Sequence, residues 1–141
     1  MPRTELDRAI VLAILSHEGQ TDKTGEPYIL HPLRVMQNVT PRNRVAAVLH
    51  DVIEDNPRVN TTGLLTNGIS AEQVELVWLL TRRPDVPSRD YYAAIKANPD
   101  ALEIKLADID DNTDPERLAK LDPEVSDRLI RKYNDAWEAL R

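Results

Sequence analysis

Apolar positions along the chain recur three and four residues apart, the period of an α-helix. Leu6, Ile10, Ala13 and Ile14 make one such stripe, and Val74, Val77, Trp78 and Leu80 a second. Leu129, Tyr133, Trp137 and Leu140 form a third, read as a core-packing face. Polar punctuation falls between them. Thr40-Pro41, Asn98-Pro99, Asp114-Pro115 and Asp122-Pro123 each read as a capping residue followed by proline at the first helical position, where a missing N–H costs nothing. Ser70 with Gln73 reads as a capping box ahead of VELVWLL, and Asn67-Gly68 as a helix stop. No run alternates as a half-buried strand does. The pattern predicts an all-α fold, a bundle of about six to eight helices, several of them short. One domain over residues 1–141 is expected, with GQTDKTGEPY, residues 19–28, as a surface loop.

One segment does not fit a plain core helix. AAVLHDVIEDN, residues 46–56, mixes a good apolar surface with His50, Asp51, Glu54 and Asp55. On a helix over residues 42–55, at about 100° per residue, these four fall within an arc of roughly 140°. Val45, Ala46, Val48, Leu49, Val52 and Ile53 fill most of the remainder. Burying ionised carboxylates without partners costs several kcal/mol each. Two resolutions are open: the wedge faces solvent as ordinary surface charge, or it faces a divalent cation. His50 and Asp51 are nitrogen and oxygen donors suited to such an ion. Glu54 and Asp55, one turn on, are placed to orient or deprotonate a water on it.

Further ligands would have to come from elsewhere. His31 stands in the apolar setting PYILHP, just before a helix. Asp108, in EIKLADIDDN, shares a helical face with Ala101 and Ile104, on the core side. Its local alternative is an ion pair with Lys105, three residues earlier. Asn112 lies one turn beyond on the same face. Each oddity has a structural explanation alone, whereas one cation would account for all three.

Composition bears on partners more than on fold. The formal net charge is -6, which disfavours a general nucleic-acid surface but leaves room for a small anionic substrate met by local positive charge. There is no cysteine, which excludes disulfides and thiolate metal sites. Phe is absent and aromatics are 4%, so the core must be mostly Leu, Ile, Val and Ala. No apolar run approaches the roughly 20 residues of a membrane span. The start MPRTELDRAI lacks a signal peptide's basic start and apolar centre, so a cytoplasmic location is the simplest expectation.

Three segments in order, HEGQTDKTGEPYILHP (17–32), AAVLHDVIEDN (46–56) and IKLADIDDN (104–112), resemble the HD-domain phosphohydrolases. More narrowly, they resemble the hydrolase domain of RelA/SpoT-type alarmone enzymes and small stand-alone hydrolases. RDYYAAIKANPDA (89–101) is similar to the segment that precedes the last motif, and the resemblance covers roughly residues 5–135. It implies an all-helical fold with one divalent metal, usually manganese, held by His31, His50, Asp51 and Asp108. It implies that Glu54 and Asp55 assist hydrolysis and that Lys23 and Asn112 contact the nucleotide. The implied reaction removes the 3′-pyrophosphate of guanosine tetra- or pentaphosphate, giving GDP or GTP and pyrophosphate. His17 is assigned to packing or loop support. The matching segments include no synthetase region, so alarmone synthesis is not expected.

Two stretches depart from the family pattern. Asp22 stands where the family has an Arg that packs against or near the base, which leaves guanine recognition open. The second is LADIDDN, where the family more often shows Arg and His in the middle, and Asp110 and Asp111 make that region more acidic. Two other readings therefore stand beside the first. One is an HD-type phosphatase acting on another nucleotide, such as NADPH or a deoxynucleotide. The other is a nucleotide-binding or antitoxin-like module with little turnover.

Overall fold

The structure, a computed structural model, describes residues 2–141. In chain order the helices are α1 (Glu5–His17), α2 (Leu30–Gln37), α3 (Arg44–Leu49), α4 (Val52–Asp55), α5 (Thr61–Thr66), α6 (Ala71–Leu80), α7 (Ser88–Lys96), α8 (Pro99–Asn112), α9 (Pro115–Leu118) and α10 (Pro123–Leu140). A 3-10 turn, Pro41–Asn43, leads into α3. The ten α-helices among the described residues exceed the expected six to eight because α4 and α9 are single turns of 4 residues. One antiparallel bridge, Thr21 with Pro27, is the only strand-like pairing among the described residues.

Local capping chemistry sets several helix starts. Asn98 Oδ1 accepts from the amides of Asp100 and Ala101 at 3.0 and 3.1 Å, with Pro99 at the first position of α8. Asp114 caps α9 through Arg117 N–H at 3.2 Å. Asp122 and Thr40 precede helical prolines as expected but make no capping bond. The box expected at Ser70 does not form. Ser70 turns to Glu5 Oε1 on α1, while Gln73 accepts from Ala46 N–H and donates to Arg42 O. The capping box lies instead at α1, where Thr4 Oγ1 accepts from Asp7 N–H at 3.1 Å and Asp7 Oδ2 from Thr4 N–H at 2.9 Å. Asn67 ends α5, and Gly68 follows at φ +87, where a Cβ would lie 2.6 Å from Arg8 Nε.

α1, α2 and α6 pack against α3, while α2, α6, α7 and α10 pack around α8. These two central helices carry or adjoin most of the candidate site. The core is aliphatic apart from Tyr91: Val35, Val48, Leu49, Val52, Leu64, Val77, Ile95 and Ile104 are among its fully buried members. The C-terminal stripe is less buried than expected. Leu140 is buried, but Trp137 is 46% exposed, and Leu129 and Tyr133 are only half-buried, facing a cleft. The true core contact of α10 includes Ala136, a small residue that brings the helix close to the bundle. Among the described residues no helix is long and apolar enough to cross a membrane.

The helix expected over residues 42–55 is interrupted. α3 ends at Leu49, His50 and Asp51 form a turn, and α4 restarts at Val52. The apolar arc survives the break, with residues 46–49 and Val52 buried. The polar wedge is graded: His50 is 3% exposed, Asp51 is half-buried, and Glu54 and Asp55 are the most exposed of the four, with their carboxyl groups still partly shielded by neighbours.

Candidate metal centre

His31 comes from the first turn of α2, His50 and Asp51 from the turn between α3 and α4, and Asp108 from the middle of α8. Packing of α2 on α3 and on α8 brings all four side chains to one point. His31 Nε2 lies 2.9 Å from Asp108 Oδ1 and 3.6 Å from Asp51 Oδ2. His50 Nε2 lies 3.3 and 3.1 Å from the same two oxygens. One ligand atom from each of His31, His50 and Asp51 falls within 4.8 Å of the others, a clustered triad able to coordinate a divalent ion.

The opposite edge of each imidazole decides what these Nε2 atoms can do. His31 Nδ1 is 2.6 Å from Asp111 Oδ2, and His50 Nδ1 is 2.6 Å from the Ala47 carbonyl. Both partners only accept, so each Nδ1 carries a hydrogen and each Nε2 is left to face carboxylates. Nitrogen lone pair against carboxylate oxygen is repulsive unless a proton or a cation lies between. Without a cation the proton takes that place. Burial alone would lower both imidazoles, but Asp108 and Asp111 hold His31 above its ordinary pKa, and Asp51 and Asp108 hold His50 well above it. Burial would raise Asp51, yet His50 draws it down to about 2. Burial likewise opposes the pull of Lys105 and the two histidines, which hold Asp108 well below the carboxylate range. Two imidazole nitrogens and two carboxylate oxygens, aimed at one point with their outer edges pinned, fit a divalent cation.

Asp108 divides its two oxygens. Oδ2 accepts from Lys105 Nζ at 3.0 Å, while Oδ1 faces the histidines and accepts from Asn112 Nδ2 at 2.9 Å. Asn112 therefore supports Asp108 as well as lining the cleft beside it, a cavity of about 350 Å3. Glu54 lines the same cleft, and its Oε1 accepts from Arg82 N–H at 2.5 Å. Burial of its carboxyl pushes Glu54 above the ordinary value, and burial with Asp51 nearby does the same to Asp55. Asp55 accepts at 3.1 Å from Nε2 of Gln20, which itself lines the cleft. Gln20 Oε1 in turn meets His17 Nδ1 at 2.9 Å, which fits the expected loop-supporting role of His17. Lys23 is exposed at the cleft.

Asp22 does not reach into the centre. Its Oδ1 accepts from Thr24 N–H, Thr24 Oγ1 and Glu26 N–H at 2.8, 2.7 and 3.0 Å, so it ties its own loop. Asp111 is likewise not a free acid, since Arg34 and Arg117 neutralise it, while Asp110 is exposed. Tyr28, not among the residues expected at the site, donates its hydroxyl to Asp51 Oδ2 at 2.6 Å and stays protonated because burial and Asp51 raise it. Its place three residues before His31 was the available signal. Arg117, Leu129, Lys132 and Tyr133, likewise not expected there, line the cleft from α9 and α10.

No protein-family model matches the chain. It is 31% identical over 147 aligned positions to the bifunctional (p)ppGpp synthase/hydrolase SpoT of Escherichia coli, covering 96% of this chain and 21% of that protein. A guanosine-3′,5′-bis(diphosphate) 3′-pyrophosphohydrolase of Vibrio cholerae is 46% identical over 55 positions, covering 36% of this chain and 8% of that protein. The chain thus spans about a fifth of the length of its SpoT relative (21%). The solved structure of a metazoan ortholog of SpoT that hydrolyzes ppGpp matches with a TM-score of 0.76 at 22% identity, covering 100% of this chain and 88% of that one, a likeness of fold. Fold and donor set together define an HD-domain-like helical protein with a candidate metal centre. Within that class, the chain is related to the ppGpp hydrolase domains of the RelA/SpoT proteins.

Proposed function

We propose that the chain is a metal-dependent phosphohydrolase that removes the 3′-pyrophosphate of guanosine tetra- or pentaphosphate, yielding GDP or GTP and pyrophosphate. The observation that carries this reading is the pair of imidazoles, each pinned at Nδ1 and each turning Nε2 onto the carboxylates of Asp51 and Asp108. The relatives that align with nearly the whole chain, 96% of it, support the substrate class.

His31, His50, Asp51 and Asp108 would hold the ion, and the resemblance makes manganese the expected one. A divalent cation in that position supplies positive charge against phosphate oxygens and acidifies water. Glu54, fixed through Oε1 by Arg82 N–H, keeps its second oxygen free to take a proton from the attacking water. The water oxygen bonds to phosphorus, the P–O3′ bond breaks, and the leaving ribose 3′ oxygen takes a proton from solvent water while Glu54 returns its own to solvent. Asp55, held by Gln20, adds negative charge that orients the water. Lys23 meets phosphate as a point charge from the loop, and Asn112 approaches the nucleotide from α8.

Asp22 favours keeping a second reading, hydrolysis of another nucleotide phosphate, because this position brings no guanidinium to the base. The test is to incubate the Mn2+-loaded protein with guanosine, adenosine and nicotinamide phosphates and separate pyrophosphate from orthophosphate. Pyrophosphate from guanosine tetraphosphate is the expected result. Orthophosphate from another nucleotide favours the second reading. Bound metal without release from any substrate favours a binding module.

A further inference from the structure

The two departures from the family pattern, Asp22 and Asp111, lie far apart in sequence but meet on one guanidinium. Arg117 Nη1 donates to Asp111 Oδ2 at 2.8 Å and to the Asp111 carbonyl at 2.7 Å, while its Nη2 lies 3.6 Å from Asp22 Oδ2. Arg34 grips the same carboxylate from α2 through Nε at 2.6 Å and Nη2 at 3.1 Å. The remaining donor to Asp111 is His31 Nδ1, at 2.6 Å. The Asp111 carboxylate is thus saturated, with its side chain 9% exposed.

We propose that Asp111 is a positioning residue for His31: clamped by Arg34 and Arg117, it fixes the imidazole with Nε2 turned to the cation, and Asp22 belongs to the same unit by holding Arg117. The inference rests on the metal reading above. The geometry supports it in three ways. An acceptor-only group at Nδ1 leaves Nε2 as the ligating nitrogen. Two guanidinium groups in a fixed fork hold the carboxylate plane, which in turn holds the ring. His50 reaches the same end differently, through the Ala47 carbonyl in the last turn of the helix it follows, so only His31 needs a partner brought from a distant element. The two acidic departures and Arg117 then act together, not as separate surface changes.

A purely structural ion pair would also join α2 to α8 and α9, so the test must read the metal. Mn2+ is titrated calorimetrically into metal-stripped wild type, Asp111→Ala and Asp22→Asn, with urea unfolding measured on each metal-free protein. Asp111→Ala is expected to raise the Mn2+ Kd by about ten- to a hundredfold. Asp22→Asn is expected to raise it by about twofold in wild type and not at all in the Asp111→Ala background. In the metal-free wild type, the hydrogen on His31 Nδ1 is expected as a downfield proton resonance that disappears in Asp111→Ala. If Asp111→Ala does not fold, Asp111→Asn keeps the shape and carries the test, with a rise of about threefold expected. An unchanged Kd in a folded Asp111 variant, with only urea stability lowered, overturns the proposal and leaves the metal centre standing. A wild type that binds no Mn2+ overturns the metal reading and this inference with it.

Discussion

Lys105 Nζ lies 3.0 Å from Asp108 Oδ2, while the other oxygen of Asp108 faces His31, His50 and Asn112. The two readings of Asp108 open from sequence, a local ion pair and a metal ligand, are therefore compatible within one carboxylate. Lys105 is half-buried, and burial, which would lower its pKa, is outweighed by Asp108, so it stays charged.

Removing that charge exposes the arrangement. Lys105→Met leaves Asp108 Oδ2 without its cation and is expected to destabilise the metal-free protein by about 3–5 kcal/mol. Urea unfolding with and without Mn2+ checks this. Bound metal should recover part of the loss, and a deficit below about 1 kcal/mol would speak against a dependence of Asp108 on Lys105.

Glu54 separates binding from chemistry. Glu54→Gln is expected to leave Mn2+ affinity within about twofold and to lower kcat by about 100-fold or more, the usual scale for a lost general base. An unchanged kcat would remove Glu54 from the mechanism. The same variant has a stability consequence. Because burial raises the Glu54 carboxyl, the folded state favours its neutral form. Its contribution is present below the unfolded pKa and lost as pH rises through the folded one. Metal-free Glu54→Gln should therefore melt above wild type at neutral pH, with the gap closing below about pH 4, where both states are protonated.

The Asp55 carboxylate depends on a two-residue relay. Asp55 accepts from Gln20 Nε2, which turns Gln20 Oε1 to His17 Nδ1. Gln20→Ala is expected to lower kcat about tenfold with KM nearly unchanged, and His17→Asn, whose amide can still donate to Gln20, should lose less than His17→Leu. Equal losses in the two His17 variants would show that ring packing against Tyr28, at a centroid separation of 4.9 Å, is what matters.

Asn98 caps the helix that carries Asp108 and Asn112. Asn98→Ala should cost about 1 kcal/mol in urea unfolding, the usual value for a lost cap. A change near zero would mean that Pro99 alone defines the start of α8.

Much of this was legible in sequence, for identifiable reasons. Asn98-Pro99 and Asp114-Pro115 were readable because capping is complete within four residues. His31, His50 and Asp108 stood out because a polar side chain on an apolar face needs an explanation. Ser70 and Gln73 misled because a motif names residue types, not competitors, and Glu5 and the Ala46 amide capture the two side chains. The break at His50 and Asp51 was hidden because His50 keeps helical dihedrals, at φ -59 and ψ -26, and only Asp51 leaves them, at φ -103 and ψ -4, a single-residue change that the apolar spacing does not record. Tyr28, Gln20 and Arg117 gave little warning, since their partners Asp51, Asp55 and Asp22 lie on distant stretches of chain.

The four-residue centre stands or falls on the metal it holds. Wild type and Asp108→Ala, each equilibrated with Mn2+, desalted and measured by elemental analysis, should differ. One ion per wild-type chain is expected, with a near-complete loss in the variant while it remains folded by circular dichroism. Full occupancy in folded Asp108→Ala, or a wild type that retains no metal, would contradict it.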